Sequence, residues 1–405
     1  ASATAAVLVV VVLGSVWISW RLGGAPAGTS TEAANEGATE VQATQDASQR
    51  LRERADTVEA RVAELVPAPE PETPLPNGAP VKMVVEWRKT YTDPVTTTPV
   101  IAGDNVIFGS RDGNVYALEQ GSGALGWRYQ AEEGVGASPV VVGGVVLGAD
   151  YKGNVFCLDK STGAQIWKHG LPGKVVSTPC VAGGEVLVGC TDGIGYGLSL
   201  ETGRVLWKVK TGGRIRASAA AGEGSFYLPS YDGMLYAVSQ GSGARRWRQR
   251  VGGELSSTPA VDGGRVVVGG DGGVYAFDAA TGTNLWRFRT RAPVRSFVSI
   301  EGNRVYVGCN DRHLYCLDAA SGDLVWRAPT GEVVLSRPRV EDGLVFVTSY
   351  DKSVYCFDAA TGDSIDRLET SGPIYSSPVV AGEHVFFGNN QGEFYCISYR
   401  GQSSR

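Results

Sequence analysis

Histidine is nearly absent: His169, His313 and His384 are the only three in 405 residues. They stand far apart, each on or beside an extended run, so neither a histidine metal centre nor a Ser-His-Asp arrangement is expected. Cysteine is sparse as well. The seven (Cys157, Cys180, Cys190, Cys309, Cys316, Cys356 and Cys396) include no adjacent pair and no C-x-x-C, which excludes zinc and thioredoxin-type readings. Their odd number leaves at least one unpaired within the chain. Cys157, Cys316, Cys356 and Cys396 occupy a place that Ala117, Ala237 and Ala276 fill elsewhere, which marks a small buried position rather than a ligand. The EF-hand spacing is missing, so the Asp-Gly pairs at Asp112, Asp192, Asp232 and Asp271 read as turns. No catalytic residue, metal or cofactor is expected.

There is no excess of positive charge either. The chain has 37 basic and 42 acidic residues, and residues 1–80 hold five arginines and ten acids, leaving 32 of each sign in the rest. A balanced body exerts no general pull on nucleic acid, which is not expected as a partner. Within it, Arg214, Arg216, Arg245, Arg246, Arg248, Arg250, Arg287, Arg289, Arg291 and Arg295 gather in one stretch. They form either a solvated face or a docking patch.

What the chain does have is a ruler. Trp87, Trp127, Trp167, Trp207, Trp247, Trp286 and Trp326 are spaced by 39 or 40 residues. The next mark, at 366, holds Asp366, so that joint is expected to lack its indole. A fixed period of this length is the mark of a repeat architecture. Each unit holds short β-branched or aromatic runs between turn signals. In one of them Gly263-Gly264 precedes 266–268, Asp271-Gly272 precedes 274–277, and Thr281-Gly282 leads to Trp286. Four short antiparallel strands per unit make a propeller blade. Eight inner strands open, at Thr98-Pro99, Ser138-Pro139, Thr178-Pro179, Ser218-Ala219, Thr258-Pro259, Phe297-Val298, Arg337-Pro338 and Ser377-Pro378. Only seven units own a fourth strand downstream, and residues 84–91 carry a tryptophan strand with no blade before it. The predicted fold is therefore all-β: an eight-bladed β-propeller over 81–405, closed by its N-terminal strand.

The motif Ala276-x-Asp278-x-x-Thr281-Gly282-x-x-x-Trp286, with variants at 117–127, 157–167, 197–207, 237–247 and 316–326, resembles the tryptophan-docking motif of the quinoprotein-type (PQQ-like) repeat family. The resemblance covers residues 84–399. It implies that the seven tryptophans pack between adjacent blades and that the Asp and Gly shape the turn receiving each indole. The dehydrogenases of that family carry a vicinal Cys-Cys pair, a tryptophan under the quinone, a carboxylate-held calcium and longer blades. This chain has no Cys-Cys, and its connections are short. It looks more like the eight-bladed accessory subunits of the bacterial outer-membrane β-barrel assembly machine. Those dock a partner through a Leu- and Arg-containing loop into blade 4. Here residues 211–216 keep Arg214 and Arg216 but lack the leucines. Arg216 and Arg295 hold the same place before the inner strands of blades 4 and 6. With Arg214 they are expected to form a positive arc on one rim of the channel.

The first 80 residues are different material. Residues 5–20 form an uncharged apolar run, with Trp17, Trp20 and Arg21 at one end. It reads as a transmembrane anchor over 1–22. The rival is a signal peptide cleaved near Ala25-Pro26-Ala27. No cysteine follows it, so a lipoprotein anchor is not expected. A linker spans 23–80, with an amphipathic helix at 43–66 and a proline-rich spacer after it. Leu51, Val58, Val62 and Leu65 fall on one apolar seam of that helix, a candidate partner-binding face. The expectation is a single-pass protein of a bacterial inner membrane, its propeller in the periplasm, serving as a non-catalytic scaffold for protein subunits of a membrane complex. The runner-up is an extracytoplasmic ligand-binding or sensing propeller, and the third reading a PQQ-dependent oxidoreductase.

Overall fold

The computed structural model describes residues 81–399. The expected anchor (1–22), the linker (23–80) and the seam of Leu51, Val58, Val62 and Leu65 lie outside the described residues. Within them the chain forms eight four-stranded antiparallel sheets. Blade 1 runs from Val100–Ala102 through Asn105–Gly109 and Asn114–Glu119 to Leu125–Gln130. Blades 2 to 7 repeat that order. Blade 8 has only three strands of its own, Val379–Ala381, His384–Gly388 and Glu393–Ser398, and its outer strand is Val84–Thr90. Register runs from Val84 opposite Ser398 to Thr90 opposite Glu393, so the ring closes through the N-terminal strand as expected.

A bulge precedes each of the seven tryptophans. In blade 5, Ala276 faces Trp286 while Phe277 faces Asn284, so Leu285 is skipped. Two residues opposing one bends the strand. The indole turns inward, and the skipped residue (Ile166, Leu206, Leu285 or Val325) faces solvent. This explains why outer strands expose isolated large apolar side chains without forming a patch.

No single core fills the middle. The buried apolar residues fall into eight clusters, each spanning one joint between neighbouring blades. The tryptophans plug these joints. The Trp286 indole donates to Ala319 O at 3.0 Å, and Trp127, Trp167, Trp247 and Trp326 make the same bond one blade on. Trp207 differs, donating instead to the buried carboxylate of Glu185 at 3.1 Å, whose other oxygen accepts from Gly241 N at 2.9 Å. The docking turn is built as the motif implied. Asp278 accepts from Thr281 N and Oγ1, both at 2.7 Å, and Gly282 then takes φ of 74°. A Cβ on Gly282 would stand 2.7 Å from the Trp247 ring, so only glycine fits both the backbone and the neighbour.

The joint at 366 lacks its indole, as expected, but other side chains occupy its place. Met83 and Tyr399 lie buried there against Phe346, with Tyr399 edge-on to Phe346 at 4.8 Å. The Asp366 carboxylate accepts from Met83 N at 2.5 Å. The segment leading into the closure strand thus fills the space that an indole takes elsewhere, and the carboxylate tethers it.

Closure also carries a buried charge. Glu393 pairs with Arg88 of the closure strand at 3.2 Å and accepts from Ser371, Tyr395 and Asn389. Burial raises its pKa, but those hydrogen bonds and the arginine outweigh burial and hold it below the ordinary value of 4.5. A depressed folded-state pKa gives stability that is present above about pH 4.5 and lost as pH falls through the folded value. Glu393→Gln should therefore cost about 1–3 kcal/mol near neutral pH and flatten the acid limb of stability. Thermal melts of both proteins from pH 7 to pH 3 would check this; parallel acid limbs would contradict it.

Candidate functional site: the central channel

The eight inner strands surround a channel, and the repeat dictates what lines it. Five of the joints are tied around the channel by a hydroxyl belt. Ser138 Oγ accepts from Thr98 N at 2.9 Å, Ser218 from Thr178 N at 2.8 Å and Thr258 from Ser218 N at 3.3 Å. On the far side Ser377 accepts from Arg337 N at 2.8 Å and Thr98 from Ser377 N at 3.3 Å. The belt fixes the spacing of the inner strands. Residues two positions before it face one mouth.

That mouth is a cavity of about 410 Å³. Arg216 and Arg295 both line it, as their shared place in the repeat predicted. Arg214 is exposed on the same loop but is not among the residues lining the cavity. Arg111 completes the set in its stead, joined by Tyr151, Tyr231 and Tyr375. Sequence reasoning missed Arg111 and the tyrosines. The signal for Arg111, Tyr151 and Tyr231 was a second repeat position, two residues past the end of the second strand, whereas Tyr375 holds the same place as Arg216 and Arg295. Among the described residues, Arg111, Arg216 and Arg295 have no carboxylate partner, and no acidic side chain lines the cavity. Tyr375 is 46% exposed at the opening. The surrounding protein raises its phenol pKa, while the charges of Arg216 and Arg111 lower it, so both arginines act on it directly.

The other candidates have structural work to do. The Asp-Gly turns bond a tyrosine four residues on: Tyr116 to Asp112 at 2.9 Å, Tyr196 to Asp192 at 2.6 Å and Tyr236 to Asp232 at 2.5 Å. All seven thiols are free, and Cys157, Cys316, Cys356 and Cys396 face the tryptophan position of their blade. Burial pushes Cys157 up to about 11 and Cys356 and Cys396 up to about 12, which makes them unreactive. The histidines lie on blades 2, 6 and 8. Among the described residues no group of three or more His, Cys, Asp or Glu could hold a metal ion. Of the outer arginines, Arg246 is taken up by Glu223 O and Ser225 Oγ, and Arg287 lies over the Tyr275 ring at 4.8 Å.

Eight joints plugged by the same indole–glycine contact, or by its Met83 and Tyr399 substitute, around an open channel define a PQQ-like repeat propeller. The family described as outer membrane protein assembly factor BamB matches residues 84–135, 111–214 and 196–405, and the chain belongs to it. The fold is similar to that of BamB from Moraxella catarrhalis, at 20% identity and a TM-score of 0.68 over 80% of this chain and 99% of that one. It is also similar to a quinohemoprotein alcohol dehydrogenase from Pseudomonas putida, at 15% identity and a TM-score of 0.67 over 80% of this chain and 77% of that one. A europium-containing methanol dehydrogenase matches at 14% identity and 0.68, over 78% of this chain and 93% of that one. At such identities these structures share the fold alone. No curated protein matches the sequence.

Proposed function

We propose that the chain is a non-catalytic scaffold or accessory subunit of a bacterial envelope complex, in the manner its family's description as an assembly factor suggests. In this reading residues 1–22 hold it to the inner membrane, the propeller lies in the periplasm, and a protein partner docks at the channel mouth. The observation that carries the reading is the composition of that mouth: Arg111, Arg216 and Arg295 beside Tyr151, Tyr231 and Tyr375, with no acid among them. Tyrosine and arginine on a rigid frame are the residues that dominate binding energy at protein interfaces. The uncompensated charge favours a partner segment bearing carboxylates or backbone carbonyls.

The test is the double change Arg216→Glu and Arg295→Glu, with co-purification from membranes in mild detergent. Both side chains are exposed, so stability should stay within about 0.5 kcal/mol. Partner recovery should fall at least tenfold, equivalent to about 1.4 kcal/mol, and wild type should itself weaken at high salt. Undiminished recovery would move the interface elsewhere. A ligand-sensing reading has one observation of its own: Ser256 Oγ and Asn310 Oδ1 are buried in the cavity wall with no hydrogen-bond partner among the described residues. It calls for saturable small-molecule binding by the isolated protein.

A further inference from the structure

The hydroxyl belt breaks at two adjacent positions, and they touch. Where the other six blades place Ser or Thr, blade 6 has Phe297 and blade 7 has Arg337. The Arg337 guanidinium lies over the Phe297 ring, 5.6 Å from its centroid. Its backbone N–H still joins the belt through Ser377, so the frame does not need the side chain. Among the described residues no carboxylate pairs with it; nearby Arg339 is already held by Glu341 at 2.7 Å. The side chain is open to the channel yet surrounded by inner strands. That enclosure, and Arg339 beside it, lower its pKa, though an arginine stays cationic at neutral pH.

Arg337 is the sole charged residue lining a second cavity, of about 350 Å³, on the other side of the belt from Arg216 and Arg295. The wall there is apolar: Val100, Val140, Val141, Cys180 and Val181, with the prolines that open the inner strands. Arg337 also borders an adjoining groove that holds Asp262 and Glu301, but neither carboxylate comes within ion-pair distance of it. A guanidinium with no direct carboxylate pair, at the end of an apolar chamber of ligand size, is a recognition device. The bidentate cation orients an oxyanion, and the apolar wall takes the body attached to it.

We propose that this chamber binds a carboxylate carried on a small apolar body, with Arg337 holding the carboxylate and the inner-strand valines holding the body. The chemistry fits a free aliphatic or aromatic acid and equally a polypeptide C terminus ending in an apolar residue. The inference does not rest on the docking reading, because the chamber lies beyond the belt from the proposed partner surface.

The variant that tests it is Arg337→Ser. Ser or Thr stands here in six of the other seven blades, and serine would offer the Phe297 N–H the hydroxyl that five joints already have. The variant should fold with a Tm equal to or above wild type. Calorimetric titration of the full-length protein would compare hexanoate with acetate and hexanamide, and acetyl-Val-Phe acid with its C-terminal amide. Hexanoate, the peptide acid or both should bind saturably, with at least tenfold weaker binding for acetate and the amides. Whichever acid binds names the source of the ligand. Arg337→Ser should weaken that binding at least tenfold, while Arg216→Glu should leave it within twofold. Three results would each overturn the proposal: no binding of either acid, binding unchanged in Arg337→Ser, or an equal loss in Arg216→Glu, which would place the ligand at the mouth instead.

Discussion

Trp286→Ala should destabilise the propeller by about 3–5 kcal/mol, the usual cost of deleting a buried aromatic. The indole is buried between blades 5 and 6, donates to Ala319 O at 3.0 Å and carries Gly322 against its face. Truncation therefore opens a cavity and orphans a carbonyl together. Asp366→Ala occupies the same mark on the ruler but should cost only about 1–2 kcal/mol, because it removes the hydrogen bond from Met83 N and an exposed one from Arg367 N and leaves Met83 and Tyr399 in place. Chemical denaturation of the two variants reads the contrast. Equal losses would mean that the eighth joint is built like the others after all.

A chain beginning at Asp93 should lose cooperative unfolding and aggregate, whereas one beginning at Ala79 should behave as wild type. Removing Val84–Thr90 leaves blade 8 with an open edge, ready to pair with another chain. It also removes Trp87, which packs on Phe386 and Phe394 with centroids 6.0 Å away and donates to Gln120 O of blade 1 at 2.9 Å. Met83 leaves the opposite joint in the same cut. The loss should exceed that of any single tryptophan, and light scattering with melting curves would show it. Equal solubility and Tm for the two chains would refute strand closure.

Much of this was legible because a repeat is its own control. The tryptophan period gave the blades, and the turn residues around Asp278 and Gly282 showed how each indole is received. The surplus of one inner-strand opening over outer strands required the closure that the pairing of Val84–Thr90 displays. What escaped was what departs from the repeat. Met83 meets Asp366 across 283 residues, a contact that no local pattern announces. Arg111 reaches the channel mouth from a different strand end than Arg216 and Arg295, so a comparison confined to inner-strand openings could not find it. Arg214 was assigned to the arc by proximity in sequence, but its exposed side chain does not line the cavity. Phe297 and Arg337 were visible as exceptions to the Ser/Thr-Pro opening, yet only their stacking shows that the two exceptions form one feature.

The most direct test of the docking account is a photo-crosslinking amino acid placed at Tyr375. This side chain is 46% exposed at the mouth and close enough to Arg216 and Arg111 to feel their charge. A matching substitution at Leu206, 53% exposed on the outer strand of blade 3, serves as the comparison. After irradiation of intact cells, position 375 should yield one dominant crosslinked protein, lost in the Arg216→Glu, Arg295→Glu background, and position 206 should yield none. A dominant adduct at 206 with nothing at 375 would contradict a partner seated on the channel mouth.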